Sequence, residues 1–133
     1  MTVAQAFAGY LESIDVATLG TNLFISRWPS SNKISDPSFL IKDAGGQLIQ
    51  RTIQGQAINQ YLIELYMRYY GAGTVDATLQ SLRGQLTTNA VTLSGYTLYS
   101  NPETNGPWSD QDLDDEERTV GFMQIKFVII EET

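Results

Sequence analysis

Apolar residues in the first fourteen positions fall at helical spacing. Val3, Phe7, Tyr10, Leu11 and Ile14 share one face, Thr2 is placed to cap the start, and Gly20 lies past the end, which predicts a helix over 3–14. The period then changes to two. In 22–28 (NLFISRW), Leu23 and Ile25 point one way and Phe24 and Trp28 the other, a strand stopped by Pro29. Residues 29–37 are polar and turn-rich, 39–42 read as a second short strand, and Asp43-Ala44-Gly45-Gly46 as a turn. The glutamine-rich stretch 47–60 reads as an irregular lead-in whose later part joins the next strand.

Residues 61–70 (YLIELYMRYY) fit two templates. A helix gains a Glu64–Arg68 pair and a Tyr61–Leu65–Tyr69 stripe. The alternation of Leu62, Glu64, Tyr66, Arg68 and Tyr70 with Ile63, Leu65, Met67 and Tyr69, rich in aromatics and lacking a cap, favours a central strand. Gly71-Ala72-Gly73 breaks the chain, and Thr74 is read as the cap of a second helix with Val75, Leu79, Leu82 and Leu86 on one face. Gly84 weakens that helix by ~1 kcal/mol relative to alanine, a cost that points to a closely packed neighbour. Strands follow at 91–99 and 120–130. The order helix, strand, strand, strand, helix, strand, strand is an α+β pattern. It predicts a mostly antiparallel sheet of about five strands with two helices packed on one face, in a single domain over 1–133.

Charge changes this picture at one place. Of fifteen acidic residues, seven lie in 103–117, a stretch with no Lys or Arg, and the rest of the chain balances eight acids against eight bases. The net charge of −7 therefore belongs to one segment, read as a flexible acidic hairpin loop at 101–118. Asp110, Asp112, Asp114, Asp115, Glu116 and Glu117 are its candidate interaction residues. Asp110, Asp112 and Asp114 alternate like the start of a calcium loop. Asp115 then stands where the sharp turn needs glycine, and Gly121 where a bidentate glutamate is needed, so no metal site is expected.

With neither histidine nor cysteine, the chain has no His-based nucleophilic site, no disulfide and no thiolate metal site. A carboxylate pair needs packed walls, and this segment offers only Trp108 and Leu113 as apolar anchors. No catalytic residue, no cofactor and no metal is therefore expected. Eight scattered bases beside an anionic segment argue against sequence-specific nucleic-acid binding. No apolar run approaches the ~20 residues that span a bilayer, and no secretory signal is read at the N-terminus. Trp28, Tyr66 and Tyr70 are candidate subunit or sheet contacts, because large aromatics on a strand's second face need cover.

Four stretches resemble the tail-terminator and head–tail completion (minor capsid) proteins of long-tailed bacteriophages. GTNLFISRWP is similar to that family's first strand ending in proline, and YLIELYMRY, with Arg68, to its long strand before the second helix. The leucine helix then precedes a short strand, and SDQDLDDEERTVGFMQIKF is similar to its polar hairpin loop running through arginine and glycine into the last strand. The resemblance implies a non-enzymatic virion protein assembled in the host cytoplasm, a subunit of a homo-oligomeric, typically hexameric, ring at the tail's head–tail junction. Its implied partners are the tail-tube and head-completion proteins. Two other readings stay open: a small carboxylate-dependent hydrolase, and an acidic adaptor or nucleic-acid mimic.

Overall fold

The computed structural model describes residues 2–28, 37–51, 55–88, 90–113 and 119–131. The first helix, α1 (Val3–Ser13), is fixed by its sequence. The Thr2 side chain accepts from the Gln5 amide at 3.1 Å, and the Gln5 side chain accepts from the Thr2 amide at 2.8 Å, closing a capping box. Val3, Ala4, Ala6, Phe7, Ala8, Tyr10 and Leu11 are all buried.

The first strand, β1 (Leu23–Ile25), is shorter than the alternation predicts. Ser26 adopts φ 76°, a left-handed conformation that no strand continues, while its amide donates to the Ile41 carbonyl. Next, β2 (Ser38–Arg51) and β3 (Ala57–Tyr69) form one long antiparallel ladder. This overturns the turn expected at 43–46 and the irregular reading of 47–51, whereas 57–60 join the next strand as expected and 52–54 lie outside the described residues. The Asp-Ala-Gly-Gly signal marks a β-bulge: pairing shifts by one residue between Asp43 and Gly46, with Gly45 at φ 113°. Gly46 sits beneath Tyr61, where a Cβ would come within 2.9 Å of the ring. The ambiguity over 61–70 is settled as strand up to Tyr69.

The second helix, α2 (Ala72–Thr88), starts two residues before Thr74, which therefore lies in the first turn and does not cap it. Val75, Leu79, Leu82 and Leu86 form its buried stripe, as the spacing predicts. Nothing lies within 4 Å of a Cβ built on Gly84, so no close neighbour explains that glycine. The strand expected over 91–99 contracts to β4 (Thr97–Leu98), because Gly95 at φ 84° turns the chain just before it. Two further strands complete the fold, β5 (Glu103–Leu113) and β6 (Thr119–Glu131). Residues 103–113, expected in a flexible loop, are thus a strand paired to β6. Residues 114–118 lie outside the described residues.

The sheet runs β1-β2-β3-β6-β4, with β5 also paired to β6 on the β4 side. Every pairing is antiparallel except β1 with β2, so the six-stranded sheet is mixed. Register places Phe39, Ile41, Ile63, Leu65, Met67, Met123, Ile125, Phe127 and Ile129 on one face, all buried in one cluster with both helices. Phe7 of α1 meets Phe127 at a centroid distance of 5.4 Å, and Val75 and Leu79 of α2 sit over Gly121. The expected α+β fold, with two helices on one sheet face, is the one observed.

Candidate functional site

The face opposite the helices carries the most unusual surface. Alternation along each strand sends Phe24 of β1, Leu40 of β2, Tyr66 of β3, Phe122 of β6 and Trp108 of β5 to this side. Register aligns them as one row across the sheet: Phe24 opposite Leu40, Leu40 opposite Tyr66, Tyr66 opposite Phe122, and Phe122 opposite Trp108. The Tyr66 and Phe122 rings stack at 5.4 Å, and Trp108 tilts against Phe122 at 5.2 Å. Phe24 meets Trp28 edge-on at 6.5 Å, and Leu40 is buried although it lies outside the helix-side core.

Cations border the row. The guanidinium of Arg68 lies 3.9 Å from the centre of the Trp28 ring, and its Nε donates to Ser38 Oγ at 3.0 Å. Arg68 is only 8% exposed, so aromatic and hydroxyl contacts replace much of its hydration. Lys42 stands 4.9 Å over the Tyr66 ring. The Tyr66 hydroxyl donates to Glu64 at 3.4 Å, and burial, with the Glu64 charge, pushes its pKa above the ordinary tyrosine value.

Of the residues singled out from sequence, Trp28 and Tyr66 are brought onto this face. Tyr70 is not, lying past the end of β3, 51% exposed, with its ring 6.1 Å from Tyr69. Asp110 and Asp112 belong to β5 and therefore to a sheet edge, while Asp114, Asp115, Glu116 and Glu117 lie outside the described residues. The sequence reading omitted Phe24, Leu40, Phe122 and Trp108 from the site. Alternation does place Phe24 and Phe122 on an outer face, but only register joins them into a row.

Two cations position β5. Arg83 of α2 donates from Nε to Thr104 Oγ1 at 3.1 Å and from Nη1 to the Gly106 carbonyl at 2.9 Å. Lys126 pairs with Glu103 at 3.2 Å. The Gly106-Pro107 pair forms a bulge between Asn105 and Trp108, and a Cβ on Gly106 would strike the indole at 2.9 Å. Glycine at 106 therefore lets Trp108 fold back onto Phe122.

At the far end of the sheet, Glu131 accepts from Tyr61 Oη at 2.7 Å and from Asn59 Nδ2 at 2.6 Å. The hydrogen bond to Glu131, then burial and the carboxylate's charge, push the Tyr61 pKa from 10.0 up to about 12. The folded state thus holds this proton more tightly than the unfolded chain. The stabilisation is complete below pH 10 and lost as pH rises through about 12. Tyr61→Phe should remove the highest phenolate step from an alkaline absorbance titration. A titration curve identical to wild type at its upper end would contradict the assignment.

No family model and no curated protein matches the chain. Among solved structures it is similar to a chain of the virion of a native gene transfer agent particle, at 12% identity and a TM-score of 0.56. The match covers 97% of this chain and 98% of that one. At that identity the likeness establishes a shared fold. No helix among the described residues is long and apolar enough to cross a membrane.

Proposed function

We propose that this chain is a non-enzymatic virion structural protein, a single-domain subunit of a ring that ends the tail tube and joins it to the head. The observation that carries the reading is the end-to-end likeness in fold to a chain of a virion particle. The half-buried aromatic row, with Trp108 exposed at its end, and the acidic strand support it, since both suit contact with other protein surfaces better than turnover. In this reading the ring is a hexamer, its partners are tail-tube and head-completion proteins, and the acidic run 110–117 faces either a DNA channel or a basic neighbour.

Light scattering and electron microscopy of the full chain, alone and with isolated tail tubes, test this. The expected result is a rotationally symmetric particle at a multiple of the 14.8 kDa chain mass. A monomer at every concentration, with no attachment to tubes, overturns the ring. A hydrolytic activity abolished by Asp110→Asn or Glu116→Gln overturns the non-enzymatic assignment.

A further inference from the structure

The chain holds a single Asn-Gly pair, Asn105-Gly106, and the fold sets it in the bulge of β5. Glycine after asparagine has no Cβ to block its own amide nitrogen from reaching the preceding side chain, and its backbone turns freely. A regular ladder suppresses that approach by holding both residues extended. Here Asn105 lies opposite Gln124, and pairing resumes only with Trp108 opposite Phe122, so Gly106 and Pro107 have no partner on β6. Gly106 adopts φ 100°.

The side chain is free to react as well. Asn105 is exposed, and among the described residues no hydrogen bond holds its carboxamide. It lines a cleft of about 410 Å3 with Arg83, Thr104, Gln124 and Lys126, where water reaches it. Other asparagines are tied down. Asn22 Oδ1 accepts from the Thr18 amide at 2.7 Å, and Asn59 Nδ2 donates to Glu131 at 2.6 Å.

We propose that Asn105 is a site of spontaneous modification in the folded protein, deamidating to aspartate and isoaspartate through a cyclic imide. The Gly106 nitrogen gives its proton to hydroxide and bonds to Asn105 Cγ. The bond from Cγ to Nδ2 breaks, and that nitrogen leaves as ammonia with a proton from water. Water then adds to a carbonyl of the imide ring and opens it. Addition at Cγ gives aspartate, and addition at the main-chain carbonyl gives isoaspartate. Nothing is oxidised or reduced. Either product adds a carboxylate on the sheet face that carries Glu103. Isoaspartate also lengthens the main chain before Gly106, whose carbonyl Arg83 holds at 2.9 Å and against which the Trp108 ring packs. The longer chain carries both groups out of register with Arg83 and Phe122.

The test ages the full chain at mildly alkaline pH, folded and in guanidinium chloride, and follows each asparagine by peptide mass spectrometry with isoaspartate methyltransferase labelling. In the folded chain Asn105 should convert faster than Asn22 and Asn59. If the reaction required global unfolding, the folded protein would react at least about a thousandfold more slowly than the denatured chain. The bulge should keep the slowing well under that. Slowing of that size overturns the proposal, and so does conversion at Asn105 no faster than at Asn22 or Asn59. Asn105→Gln closes a larger, less favourable ring and should stop the change; acid appearing at 105 at the wild-type rate would overturn the imide route. Asn105→Asp carries the charge without the longer chain. Aged protein rich in isoaspartate should therefore lose near-UV circular dichroism relative to Asn105→Asp, and identical spectra overturn the displacement of Trp108.

Discussion

Phe127→Ala is expected to destabilise the protein by about 3–5 kcal/mol and lower Tm by about 10–20 °C. Phe127 has no exposed surface, lies on β6 opposite Tyr61 of β3, and meets Phe7 of α1 at 5.4 Å. It therefore links α1 to the central strand pair. Truncation removes transfer energy and leaves a cavity that a β-ladder on one side and a capped helix on the other cannot collapse to fill. Urea unfolding monitored by far-UV circular dichroism reads the loss. The midpoint should fall while the slope with denaturant stays near wild type. A change below about 1 kcal/mol would mean the site repacks, contrary to the tight cluster observed.

Alternation and helical spacing carried the fold where an element has one wet face and one dry face. The stripe Val75, Leu79, Leu82 and Leu86 and the alternation of β6 were legible because burial demands them. The two longest misread stretches share one physical cause. Across 43–51 and 103–113, partners in the ladder supply pairing that local sequence does not encode, so glycine and polar residues read as turn or loop. Asp43 to Gly46 is a bulge within a fourteen-residue strand, and the Gly106-Pro107 pair is a bulge within an eleven-residue one. The same limit applies to the surface. Trp28 and Tyr66 could be chosen as outward aromatics one strand at a time. Their alignment with Phe24, Phe122 and Trp108 is a property of register, set by which strands lie side by side.

Gly121→Ala is expected to cost about 1–3 kcal/mol, and Gly121→Val the upper end of that range or more, though both replace a glycine with a better strand former. Gly121 is buried on β6, and its backbone has no unusual dihedral that demands glycine. What forbids a side chain is space: a Cβ there would meet Val75 Cγ1 at 2.5 Å, Leu79 Cδ1 at 3.1 Å and the Trp108 carbonyl at 3.3 Å. Val75 is itself buried and β-branched, so its rotamer cannot swing clear inside the helix. The helix must move instead. Because Arg83 on that helix holds Thr104 and the Gly106 carbonyl of β5, the displacement reaches the strand that presents Trp108. A double-mutant cycle isolates the cause. Val75→Ala removes the clashing methyl, so Gly121→Ala should cost less in its presence, with a coupling of about 1–2 kcal/mol measured by chemical unfolding. Strictly additive losses would show that α2 does not pack on Gly121 as described.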